Sequence, residues 1–122
     1  MTLINDRQMA KLSPDRSTLI WNLKQDLLDI VDEAKAAELA LLEGFGETDR
    51  TIEALDQLTE IAEQAKERFS QLSIVQIRIA ESQPIAPQDL LTLLDDRIGA
   101  ISGRVPALKQ STQEIKVDWN LS

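Results

Sequence analysis

The sequence predicts an all-α protein, an antiparallel three-helix (up-down-up) bundle with a short N-terminal arm and an extended C-terminal tail. Three observations carry that prediction. Apolar residues recur at alternating steps of three and four along three long stretches, which stacks them into one stripe per helix. Four glycines and four prolines leave few break points in 122 residues. Aromatic residues make up 3% of the chain, whereas sheets draw on aromatic and β-branched side chains. By length the chain, residues 1–122, is one domain.

Taken in order, Leu3, Ile4, Met9 and Leu12 mark the N-terminal arm, expected to lie on the bundle. Ser13-Pro14 opens the first helix, about residues 14–43, with serine as N-cap, proline in the first turn and Asp15 at the positive end of the dipole. Its seam is Ile20, Leu23, Leu27, Ile30, Ala34, Ala37 and Leu41. Gly44 is expected to take the left-handed position that ends it. Thr48 caps the second helix, about 48–82, whose seam is Leu55, Leu58, Ala62, Ala65, Phe69, Leu72, Gln76 and Ile79. The β-branched run 73–80 could pass for a strand, but the heptad continues through it, and Gln83-Pro84 stops the helix. Pro87 opens the third helix, about 87–113, with Leu91, Leu94, Ile98, Ile101, Val105, Leu108, Thr112 and Ile115 as its seam. Pro106 lies off that seam and is expected to kink the helix. Residues 115–122 alternate apolar and polar without exception, which predicts an extended tail.

Folding the chain about the two turns aligns the seams. Ala37 meets Leu55, Ala34 meets Leu58, Ile30 meets Ala62, Leu27 meets Ala65, Leu23 meets Phe69 and Ile20 meets Leu72. Most of these layers oppose an alanine to a larger aliphatic residue, which keeps layer volume even. The third helix adds Ile98, Ile101, Val105 and Leu108 to successive layers.

Composition excludes several chemistries. There is no cysteine, histidine or tyrosine, so disulfides, thiolate or imidazole metal sites and histidine-dependent catalysis are ruled out. The net charge of −8 offers no basic face for nucleic acid, and no apolar segment reaches membrane-spanning length. Met1-Thr-Leu-Ile-Asn-Asp6 lacks the pattern of a signal peptide, and the expected location is cytoplasmic. No cofactor is expected.

Asp29-x-x-Asp32 and Glu53-x-x-Asp56 on adjacent helices resemble the paired carboxylates with which all-α NTP pyrophosphatases hold magnesium. The resemblance is partial, because aspartates stand where that family has a glutamate pair. It implies a magnesium-dependent nucleotide pyrophosphohydrolase, but the heptad points these acids to solvent. Asp95-Asp96 reads as polar-face charge. Residues 43–67 carry eight acids against Arg50 and Lys66, whereas 97–122 carry Arg97, Arg104, Lys109 and Lys116, and the expectation is pairing between the second and third helices.

The seams leave apolar residues over. Trp21 and Leu28 lie a heptad apart off the first seam, with Leu42 continuing their row, and Ile74 and Ile77 lie off the second. In the tail, Val117, Trp119 and Leu121 form an apolar face that serves as a strap on the bundle or as a strand added to a partner's sheet. These seven residues, Trp21, Leu28, Ile74, Ile77, Val117, Trp119 and Leu121, are the interface candidates. The expected function is a non-enzymatic protein-interaction module, a self-associating adaptor or small subunit, with a second copy of the chain completing the bundle. The alternative is an acidic inhibitor or decoy for a basic, nucleic-acid-binding protein surface.

Overall fold

The computed structural model describes residues 12–121; Leu3, Ile4 and Met9 of the expected arm lie outside them. Among the described residues there are three helices, α1 (Pro14–Phe45), α2 (Ile52–Glu81) and α3 (Gln88–Asp118), and each packs on both others. Ser13 caps α1 as its sequence requires, accepting the Arg16 backbone N–H on Oγ at 3.3 Å. The helix runs through Gly44 and stops at Gly46, whose N–H donates to the Leu42 carbonyl at 2.9 Å. Gly46 has a φ of 74°, so the second glycine, not Gly44, supplies the positive-φ cap.

Thr48 and Thr51 then start α2 by reciprocal capping. Thr48 Oγ1 accepts the Thr51 N–H at 3.2 Å, and Thr51 Oγ1 accepts the Thr48 N–H at 2.9 Å. Thr51 also donates its hydroxyl to the Gly46 carbonyl at 2.8 Å, which ties the cap to the end of α1 and explains why this polar side chain is buried. The β-branched run 73–80 is helical, because Val75 and Ile79 bury on the same stripe as Leu72.

The first seam is buried at every position from Ile20 to Leu41. On α2 the seam is buried except at Phe69 and Gln76, which are half-buried, and on α3 it is buried from Leu94 to Ile115, with Leu91 half-buried. A second row on α2, Ala54, Ile61 and Val75, is also buried, because a helix between two neighbours needs a stripe wider than one seam. Buried Thr112 on the α3 seam returns its hydroxyl to the Leu108 carbonyl at 3.0 Å.

Polar contacts between helices agree with the predicted register. Glu38 and Thr59, each following a seam residue of neighbouring layers, meet at 3.4 Å. Arg16 grips Asp95 with two bonds of 3.1 and 2.8 Å, and Lys109 reaches Asp26 at 3.1 Å, which fixes α3 parallel to α1. Arg104 donates to Gln64 Oε1 at 2.9 Å, fixing α3 against α2. α3 runs unbroken through Pro106, which is exposed along with Ser102, whose carbonyl loses its helical donor and is left to water.

The extended tail is corrected. α3 continues to Asp118, and Val117 sits on its exposed side, 75% accessible, while Trp119 and Leu121 are half-buried against the core. Asn120 takes a φ of 55°, the Leu121 N–H donates to the Lys116 carbonyl at 2.7 Å, and the Asn120 N–H to the Val117 carbonyl at 3.1 Å. That is a Schellman closure with asparagine in the left-handed position. Helical continuation wins because Trp119 extends the seam one step past Ile115, whereas an isolated strand leaves its backbone groups unpaired.

Leu27 lies at the centre of the core and Trp21 at its surface. Leu27→Ala should cost about 2–5 kcal/mol in chemical denaturation, and Trp21→Ala in the dilute chain about 1 kcal/mol, the scale of its contact with the Lys24 ammonium. Equal losses at the two positions would mean that the seam is misassigned.

Candidate interaction surface

The outer edge of the α1/α2 groove is built from two heptad rows. Trp21, Leu28, Lys35 and Leu42 follow one another at heptad spacing along α1, and Glu63, Ser70 and Ile77 do so along α2. Each row lies one position past the first residue of its seam heptad, so both flank the same groove. Toward the end of the groove where α1 begins, Trp21 is 61% and Ile77 57% accessible and Ile74 is exposed one turn before Ile77, while Leu28 is exposed one heptad further along α1. Of the seven predicted interface residues, the structure thus leaves Trp21, Leu28, Ile74, Ile77 and Val117 open. Trp21, Ile74 and Ile77 lie toward the end where α1 begins and α2 finishes, Leu28 lies near the middle of α1, and Val117 is apart, near the end of α3.

Lys24 organises the floor of that end. Its ammonium lies 4.7 Å from the Trp21 ring centroid and 5.0 Å from that of Phe69, and it donates to Gln76 Oε1 at 2.6 Å. Only 7% of the residue is exposed, and this desolvation holds its pKa below the ordinary 10.5. Both rings therefore keep a face on the cation, which tethers Trp21 over the groove instead of leaving it loose in solvent. The sequence reading missed Lys24; its signal was Gln76, a polar residue on an apolar seam that calls for a donor opposite.

Trp119 and Leu121 belong to the other end. Trp119 meets Phe45 edge-on, with ring centroids 5.1 Å apart, beside a cleft of about 400 Å3 that Thr48, Asp49, Arg50 and Thr51 also line. The two residues close the bundle in cis, so of the seven they are the two drawn into the chain's own core.

A second groove, about 910 Å3, runs between α2 and α3 and is lined by Glu53, Asp56, Glu60, Glu114 and Asp118 over Ile61 and Ile115. No ion pair joins α2 to α3 among the described residues; the basic side chains of α1 and α3 pair across those two helices instead, Arg16 with Asp95 and Lys109 with Asp26. The expected charge pairing of α2 with α3 is thereby replaced by an unpaired acidic groove. Asp29 and Asp32 line a different groove of about 360 Å3 between α1 and α3, with Glu33, Lys109 and Gln113. The two carboxylate pairs that resemble those of the pyrophosphatases face separate grooves. Among the described residues no group of three or more carboxylates is placed to hold a metal ion, and Asp95 is engaged by Arg16. No helix of the described residues is long and apolar enough to cross a membrane.

The chain matches no known protein-family model, and neither a curated protein nor a solved structure is significantly similar to it.

The lowered pKa of Lys24 fixes a sign. The folded state holds this proton less tightly than the unfolded chain, so the site weakens folding at neutral pH and ceases to do so as pH rises toward 10.5. In thermal melts, the parent protein should therefore gain stability relative to Lys24→Met as pH is raised from 7 to about 10.5. Parallel pH curves for the two proteins would show that the ammonium is not desolvated.

Proposed function

We propose that this chain works by contact with protein, without chemistry of its own, through the outer face of α1 and α2. The observation that supports the reading most is the exposure of Trp21, Leu28, Ile74 and Ile77 on the first half of α1 and the last part of α2, with Trp21 held by Lys24. Four large apolar side chains left exposed on two adjacent helices of a chain this small are the kind of surface that marks an interaction site. The absence of histidine, cysteine and tyrosine from the sequence agrees with it, since the imidazole base and the thiol nucleophile are missing. The role is that of a self-associating adaptor or a small subunit of a larger assembly, in the cytoplasm.

A second reading has its own observation. The α2/α3 groove presents five carboxylates with no cation paired to them among the described residues, which suits an acidic inhibitor or decoy on a basic, nucleic-acid-binding surface. Such binding would weaken steeply with salt, whereas contact through the Trp21 face would not.

Gel filtration of a native-cell extract tests the first reading. The chain should migrate well above its 13.7 kDa, and Leu28→Glu should move it to the monomer position while leaving the helical circular dichroism intact. A chain that migrates as a free monomer in the extract would end the contact reading. Displacement by moderate salt and not by Leu28→Glu would favour the acidic groove.

A further inference from the structure

We infer that the partner docked on the α1/α2 face is an amphipathic helix that carries one carboxylate among its apolar side chains and sets it on the Lys24 ammonium, an inference that rests on the contact reading above and names the partner's chemistry. Lys24 is the one buried charged side chain among the described residues. Arg16, Lys35, Lys66 and Lys109 each have a carboxylate within 3.3 Å, whereas no salt bridge reaches Lys24 among the described residues. What surrounds its ammonium is neutral: the Gln76 amide oxygen at 2.6 Å and the ring faces of Trp21 and Phe69. Of its three N–H donors, one has an oxygen acceptor. The charge is thus held but not balanced, although acids outnumber bases 21 to 13 in the chain.

Docking sharpens the imbalance. Trp21, the more exposed of the two rings, lies beside the ammonium at the surface, so a partner that covers Trp21 and Ile77 also takes the last water from Lys24. An apolar side chain set there would leave the charge desolvated and unopposed, and a cation would add repulsion. A neutral acceptor would answer the hydrogen bond alone. A carboxylate answers both the hydrogen bond and the charge. A phosphate would set about two negative charges against one ammonium, on a chain whose net charge is −8.

The rest of the face asks for apolar contact on a helix. Trp21 and Leu28 stand one heptad apart on α1, and Ile74 and Ile77 stand one turn apart on α2. A groove between two helices takes a third whose apolar residues recur at steps of three and four, so that they share one stripe. A single acid on that stripe is unfavourable on most surfaces and favourable over Lys24. It is therefore the feature that separates this partner from other amphipathic helices.

Selection from a displayed library of helical peptides on the purified full chain tests this. Each peptide carries an apolar stripe with one randomised position on it. Asp or Glu should be enriched there on the parent chain and not on Lys24→Met. A selected peptide with Glu at that position should bind the parent at least about tenfold tighter than its Gln counterpart. The emission of Trp21 reads the binding, with Trp119→Phe removing the only other tryptophan. On Lys24→Met the Glu and Gln peptides should bind alike. If Lys24 serves only to hold Trp21, its loss will weaken both peptides equally and the parent will not distinguish them, which overturns the inference. Apolar or basic residues at the randomised position overturn it too, as does a chain that retains no peptide. The contact reading is judged separately in the native extract: a chain at high mass that Leu28→Glu releases keeps that reading even where the peptides show no preference for an acid.

Discussion

The constraint on which the rest of the molecule depends is the small volume of the layers between α1 and α2. Ala34, Ala37, Ala62 and Ala65 are all buried, and each faces a leucine, an isoleucine or another part of the core in place of an aromatic ring. Small side chains let two helices approach closely and fill the layers without voids. The same closeness leaves no room inside for further bulk. Trp21, Leu28 and Ile77 stand one heptad position off the seam, and their side chains stay outside. Lys24 fits at the margin because a lysine can lay its stem along the groove and keep its ammonium at the edge, where Gln76 and two ring faces receive it.

Much of this was legible in the sequence because three-and-four spacing has one geometric meaning on a helix. The α1 seam, the Ser13 cap and the role of Thr48 follow from local rules, and the layer register follows from two turns that agree. The parts that were not legible are those where two local rules compete. Strict alternation from Ile115 to Leu121 satisfies a strand, yet Thr112, Ile115 and Trp119 also continue the heptad, and only the cost of unpaired backbone decides for the helix. Asn120 before Leu121 was the available sign, since asparagine tolerates the left-handed turn that ends a helix. Gly44 and Gly46 were both eligible caps, and Thr51 selected the second by bonding the Gly46 carbonyl. Ile61 and Val75 were missed because a single-seam reading describes a pair of helices, whereas each helix here has two neighbours.

Charge was harder to read than packing. The acidic stretch 43–67 and the net basic stretch 97–122 suggested attraction between α2 and α3, but long side chains pair where heptad rows bring them level. Those rows give Arg16 to Asp95 and Lys109 to Asp26, across α1 and α3. The acids of α2 are left facing solvent, and their mutual repulsion is tolerated because it is spread along an exposed groove. The two faces of α2 thus differ in kind. One is acidic along the groove it forms with α3, and the other carries the exposed Ile74 and Ile77.

The account turns on whether the Trp21 face is open in the isolated chain and covered on association. The most direct measurement is the emission of Trp21 against concentration, with Trp119→Phe removing the only other tryptophan. The account predicts red-shifted, readily quenched emission at high dilution, moving to the blue and becoming protected as concentration rises through the micromolar range. Blue, protected emission that is already complete at the lowest concentration would contradict it, because the face would then be covered within a single chain.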